Sequence, residues 1–172
     1  MLDALIPSKT RLRLLVKFFI NAANEGHLRG LATEFHESTN AIRKELNNLS
    51  EAGYLEKESV SNRVHYKANT SHPLFSSLQD IVRKYIGLDT IVENVLSRMG
   101  HVEQIFLTGD YANGIDSGNI EATIVGKKLN EAYLHNLSIK VEAAIGRKVK
   151  FTLSETTIKT GLLVFESSSK NE

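Results

Sequence analysis

Residues 28–68 read LRGLATEFHESTNAIRKELNNLSEAGYLEKESVSNRVHYKA, and the changes of period inside this stretch set the fold. Leu28, Leu31, Ala32 and Phe35 recur at helical spacing and predict a short helix over 28–35. His36, Glu37 and Ser38 form a polar break. Ile42, Leu46 and Leu49 resume the helical period, which predicts a helix over 39–52 closed by Gly53. After Gly53 the period becomes two. Leu55, Lys57 and Ser59 alternate with Glu56 and Glu58, and Val64, Tyr66 and Ala68 with Arg63, His65 and Lys67. Val60, Ser61 and Asn62 between them read as the turn of a β-hairpin.

Upstream, Leu12, Leu15, Val16, Phe19, Ala22 and Ala23 share a helical face and predict a helix over 10–23, ended by Asn24, Glu25 and Gly26. Downstream, Leu74, Leu78, Ile81, Val82 and Tyr85 predict a helix ended by Gly87. Ile91, Val92, Val95, Leu96 and Met99 predict another, ended by Gly100. The last third has strand-like runs at 102–108, 120–125, 148–153 and 162–165. A turn-rich segment lies at 109–118. A helix is expected at 129–145, with Leu129, Ala132, Tyr133, Leu137, Val141 and Ala144 inward. Helices on a small mixed sheet make an α/β layer. Residues 167–172 read as a frayed tail.

Three helices followed by a hairpin is the order of a winged helix-turn-helix. Its third helix carries Asn40, Arg43, Lys44 and Asn47 at i, i+3, i+4 and i+7, opposite Ile42, Leu46 and Leu49. A helix fits the DNA major groove, where Asn pairs with adenine edges and Arg with guanine edges, while Lys suits phosphate. Ser38 and Thr39 stand at the helix start, where free backbone N–H groups meet phosphate. Arg63 and the Ser61–Asn62 turn sit at the hairpin tip, placed for the DNA backbone or minor groove. Arg11, Arg13 and Lys17 are expected to add charge on the first helix.

Charge agrees with such a division. The chain of 172 residues carries 21 Lys plus Arg against 20 Asp plus Glu, a net +1. Split at Gly87, residues 1–87 hold 12 basic and 9 acidic side chains, and residues 88–172 hold 9 and 11. A mildly basic half is thus joined to a mildly acidic one. There is no Cys, which excludes disulfides, thiolate metal sites and cysteine nucleophiles. No apolar run is long enough to span a bilayer, and the first residues lack a signal-peptide pattern, so a cytoplasmic location is expected.

The stretches Ser8-Lys9-Thr10 to Arg13, Leu28-Arg29-Gly30-Leu31-Ala32, Arg43-Lys44-Glu45-Leu46 with Leu49, and Glu51-Ala52-Gly53-Tyr54-Leu55 are similar to winged-helix regulators of the ArsR-like type. Asn62-Arg63-Val64-His65-Tyr66-Lys67-Ala68-Asn69 with His72-Pro73-Leu74 resembles bacterial and archaeal regulators that fuse a winged helix to a nucleotidyltransferase-like domain. Gly109-Asp110-Tyr111-Ala112-Asn113-Gly114 stands where that family has Gly-Ser-x-Ala-Arg-Gly. Asn119-Ile120-Glu121 stands for Asp-Ile-Asp, and Lys150 for a third carboxylate. The resemblance implies an α+β protein. It has a winged-helix domain at 1–72, a helical connector at 73–100 and a nucleotidyltransferase-like domain with a mixed sheet at 101–172.

The departures bear on chemistry. Nucleotidyl transfer uses carboxylate-held Mg²⁺. Asn119 removes one anionic ligand, Lys150 puts a cation in the place of another, and Asp110 puts a carboxylate where a hydroxyl would meet phosphate. The expectation is therefore a DNA-binding transcriptional regulator without catalytic residues, bound metal or cofactor. Duplex DNA and a second copy of the chain are its partners, and its last domain serves dimerisation or the sensing of a small-molecule or nucleotide effector. The alternatives are an active nucleotidyltransferase and a protein-binding winged-helix adaptor. Other constellations carry little. The six His include no i, i+4 pair, and Glu131 with His135 makes half a metal site. Ser50, Ser97 and Ser154 lack a nucleophile-elbow context, and no P-loop is present.

Overall fold

The structure, a computed structural model, describes residues 2–168. The tail expected at 167–172 lies outside the described residues from 169 onward, as does Met1. The fold is α+β and divides into two compact units. One runs to Tyr85 and takes in Asn113–Ile115; the other holds Ile86–Ala112 and continues from Asp116.

The first unit begins, after a 3-10 turn at Leu2–Ala4, with helix α1 (Lys9–Phe19). Ser8 caps it, its Oγ accepting the Arg11 N–H at 3.1 Å. The helix buries Leu14, Leu15, Val16, Phe18 and Phe19. It stops four residues before the periodicity does. Asn24 Nδ2 donates to the Lys17 carbonyl at 2.9 Å, occupying an acceptor that another helical turn would use. The freed segment forms strand β1 (Glu25–His27), which the periodicity does not predict, before α2 (Leu28–Phe35) and α3 (Thr39–Glu51).

Strands β2 (Leu55–Val60) and β3 (Arg63–Ala68) form the expected hairpin, and β1 pairs with β3 to give an antiparallel sheet ordered β1-β3-β2. Only the hairpin base faces a core. Leu55, Tyr66 and Ala68 are buried, whereas Val60 and Val64 near the tip are exposed. Asn69 and His72 fasten the chain beyond the hairpin. Asn69 Nδ2 donates to the Gly53 carbonyl at 2.9 Å, and the His72 ring packs on Tyr54 at 4.3 Å between centroids. Helix α4 (Phe75–Ile86) follows and sets Phe75 against Phe19 of α1.

The second unit comprises α5 (Leu88–Arg98), β4 (His101–Thr108), the single turn α6 (Gly109–Ala112), β5 (Asn119–Lys127), α7 (Leu134–Ile145), β6 (Lys148–Ser154) and β7 (Leu162–Glu166). The sheet is mixed, ordered β6-β5-β4-β7, with β5 and β6 parallel and the other pairs antiparallel. Ile105, Leu107, Ile120 and Ile124 of the sheet are buried, as are Ile91 and Val95 of α5 and Leu137 and Val141 of α7.

One expected helix starts late. Instead of running from 129, the chain makes a 3-10 turn at Glu131–Tyr133 and only then enters α7. The Asn130 N–H is taken by the Met99 carbonyl, and Asn130 in turn accepts from Tyr133, so the residues before 134 follow tight-turn bonding. Ala132 and Ala144, expected inward, are exposed.

Candidate nucleic-acid interface

Ser38 starts α3 by accepting the Ala41 N–H on its Oγ at 3.2 Å. That cap fixes the phase of the helix. With Ile42, Leu46 and Leu49 buried, Asn40, Arg43, Lys44 and Asn47 are held in solvent. Arg43 Nη1 donates to Asn40 Oδ1 at 3.0 Å, so these two side chains lie together along the helix.

A groove of about 540 Å³ separates α3 from the hairpin. Arg43 and Asn47 line one side, Asn62, Arg63 and Val64 the other, and Leu46 and Tyr66 the floor. His27, Leu28 and Arg29, from the β1–α2 junction, complete it. Three arginines and no acidic residue therefore line one groove. None of Arg29, Arg43 and Arg63 has a carboxylate partner among the described residues, in contrast to Arg11, Arg13 and Lys17 of α1. A site that concentrates unneutralised Arg on groove walls is attractive to phosphate.

Of the residues picked from sequence, the groove brings together Arg43, Asn47 and Arg63. Lys44 and Asn40 lie on the exposed face of α3 outside it. Ser38 is at the helix start, and Thr39 lines a shallower neighbouring depression that also holds Arg29. His27 and Arg29 were not foreseen. The signal for Arg29 is its place opposite Leu31, Ala32 and Phe35 on α2; it has meaning only once β1 turns that helix start toward the hairpin.

The cations of α1 differ from expectation. Arg11 binds Glu45 at 2.8 Å, Arg13 binds Glu37, and Lys17, itself buried, binds Glu34 at 2.7 Å. Each is paired with a carboxylate of the same unit. Glu45 is a buried carboxylate on α3. Burial pushes its pKa up, but hydrogen bonds from Arg11 and Ser8 and the Arg11 charge outweigh that and hold it below the usual range.

In the second unit, Gly109 opens α6, Asp110 is exposed on it, and Asn119 begins β5. Glu121 lies opposite Thr108 on β4 and opposite Lys150 on β6, so Glu121 and Lys150 occupy one row of the sheet. The Gly109 backbone passes close to this row; a Cβ there would lie 3.2 Å from the Glu121 carboxyl carbon. Gly109, Glu121 and Lys150 are thus neighbours. Among the described residues, no three His, Asp or Glu side chains converge as metal ligands.

Beside them, Tyr111 is fully buried. Its phenol donates to Asp116 and accepts from the Gly118 N–H at 2.9 Å and from Arg147 Nε at 3.1 Å. Burial, then the Asp116 carboxylate, pushes the phenol far above its ordinary value. Arg147 also reaches both Asp116 oxygens at 3.3 Å, closing a network around residues 111–118.

Among the described residues, no helix is long and apolar enough to cross a membrane. The chain matches no protein-family model, no curated protein and no solved structure.

Proposed function

We propose that this protein is a DNA-binding regulator whose first unit acts as a winged helix. In this reading α3 enters the major groove, and the β2–β3 hairpin is the wing. The observation that carries it is the groove between them, lined by Arg29, Arg43 and Arg63 without a neutralising carboxylate. Asn40, Arg43 and Asn47 supply base-edge donors and acceptors. Lys44, Ser38 and Thr39 supply phosphate contacts, and Arg63 anchors the wing. A helix of this length reaches few base pairs, so the protein works as a homodimer on paired half-sites. In the same reading the second unit, with its mixed four-stranded sheet, is the nucleotidyltransferase-like layer that the sequence resembles. With Asn119 and Lys150 in place of carboxylates, its role in this reading is dimerisation or effector sensing.

The test is duplex binding by wild type and by Arg43→Ala/Lys44→Ala over a salt series. The double variant should bind more weakly, and the logarithm of wild-type affinity should fall linearly with the logarithm of salt. Equal binding by the two proteins would remove the basis of the reading.

A further inference from the structure

The groove contains a histidine in an unusual task. His27 ends β1 and is the N-cap of α2, in extended conformation, with its Nδ1 accepting the Gly30 N–H at 3.1 Å. Since Nδ1 accepts, the ring proton sits on Nε2. The ring lies directly over Gly30, where a Cβ would stand 3.0 Å from Cε1 and Nε2. Its edge meets His65, the cross-strand partner on β3, at 5.7 Å between centroids. One residue behind, Gly26 leaves space for Leu31, which a Cβ would approach to 2.8 Å. The start of α2 is therefore clamped in place from the strand side, and Arg29 is the exposed side chain on that first turn.

We propose that His27 is a positioning residue of the groove: its neutral imidazole caps α2 and thereby holds Arg29 toward the nucleic-acid backbone. This rests on the DNA-binding reading. Asp, Asn and Ser are the common N-caps, and each would serve the Gly30 N–H. Asp would also place an anion on a wall that has to admit phosphate. Neutral imidazole caps without that repulsion, and its apolar body fills the groove beside Leu28.

The experiment compares wild type, His27→Ala and His27→Asn in the full chain, with a fluorescent mixed-sequence duplex as probe. Loss of the cap in His27→Ala weakens binding by about fivefold, the equivalent of one helix cap, while His27→Asn restores it. Amide exchange at Gly30 in the free proteins is the second readout. It should be faster in His27→Ala and near wild type in His27→Asn. Equal binding by wild type and His27→Ala, or failure of His27→Asn to restore it, overturns the proposal. If wild type does not bind duplex at all, the DNA reading fails instead. Gly30 exchange then decides the capping role alone, and a protected Gly30 in His27→Ala refutes it.

Discussion

Glu45 on α3 is buried against Arg11 on α1, its Oε2 lying 2.8 Å from the guanidinium Nε while Ser8 donates to the other oxygen. This pair joins the helix that carries the candidate base-reading face to the helix behind it. Because the Glu45 carboxyl is held below the usual range, the unfolded chain binds its proton more tightly than the folded one. Its stabilisation is complete above the unfolded carboxylate value of about 4.3 and is lost as pH falls through the lower folded value. Glu45→Gln, nearly isosteric and uncharged, should flatten the acid limb of stability measured by urea unfolding between about pH 6 and about pH 3. Glu45→Ala should cost about 1–3 kcal/mol at neutral pH, because Arg11 and Ser8 lose their acceptor. An acid limb unchanged by Glu45→Gln would show that the pair contributes no proton-linked stability.

The cations of the first unit divide into neutralised and free. Arg13 is bound by Glu37, whereas Arg29 and Arg63 face the groove without a carboxylate. On the DNA-binding reading, Arg29→Ala and Arg63→Ala each lower the slope of log affinity against log salt by about 1. Arg13→Ala leaves that slope unchanged. Fluorescence anisotropy with duplex DNA at several salt concentrations measures both. A drop in slope for Arg13→Ala equal to that for Arg29→Ala would mean that the groove is not the path of the phosphates.

The α+β class and the register of α3 were readable because Ile42, Leu46 and Leu49 repeat at helical spacing and leave Asn40, Arg43, Lys44 and Asn47 on the other side. β1 was not readable. Glu25-Gly26-His27 is too short for alternation, and it becomes a strand only by pairing with β3 across forty residues of chain. Missing it hid His27 and Arg29, which complete the groove. The end of α1 was hidden for a related reason: Ala22 and Ala23 continue the period, but Asn24 captures a carbonyl that the period cannot report. Arg11, Arg13 and Lys17 read as added charge on the first helix because their partners stand far away in sequence, with Arg11 and Glu45 separated by 34 positions. Ion pairing at that range depends on packing, which spacing rules do not contain.

Tyr111 is the second proton-linked position, of opposite sign. Its phenol is pushed above its ordinary value, so the folded state keeps the proton that the unfolded chain gives up. Its contribution is complete below about pH 10, the unfolded tyrosine value, and declines as pH rises above it. Tyr111→Phe removes one of two partners of Asp116 and the acceptor of the Gly118 N–H, and should cost about 1–3 kcal/mol at neutral pH. It should also reduce the alkaline loss of stability above about pH 10. Thermal melting at neutral and alkaline pH checks both, and a Tyr111→Phe protein that melts like wild type at neutral pH refutes the first.

The hairpin turn makes a prediction in the stabilising direction. Val60 pairs with Arg63, so Ser61 and Asn62 alone reverse the chain, both with positive φ, 49° and 64°. Two left-handed residues make the type I′ turn that matches the twist of the flanking strands. Asn tolerates this conformation, and Ser, which lacks the amide, is less suited to it. Ser61→Asn and Ser61→Gly should therefore raise stability, by about 0.5 kcal/mol or somewhat more. Asn62→Val should lower it by more than that gain, since a β-branched residue at positive φ meets its own backbone. Arg63 stays at the same register position in both stabilised variants. The hairpin register is thus kept while melting temperature rises. Thermal unfolding of wild type and the three variants measures the shifts. A lower melting temperature for Ser61→Asn would show that the turn is not the left-handed pair.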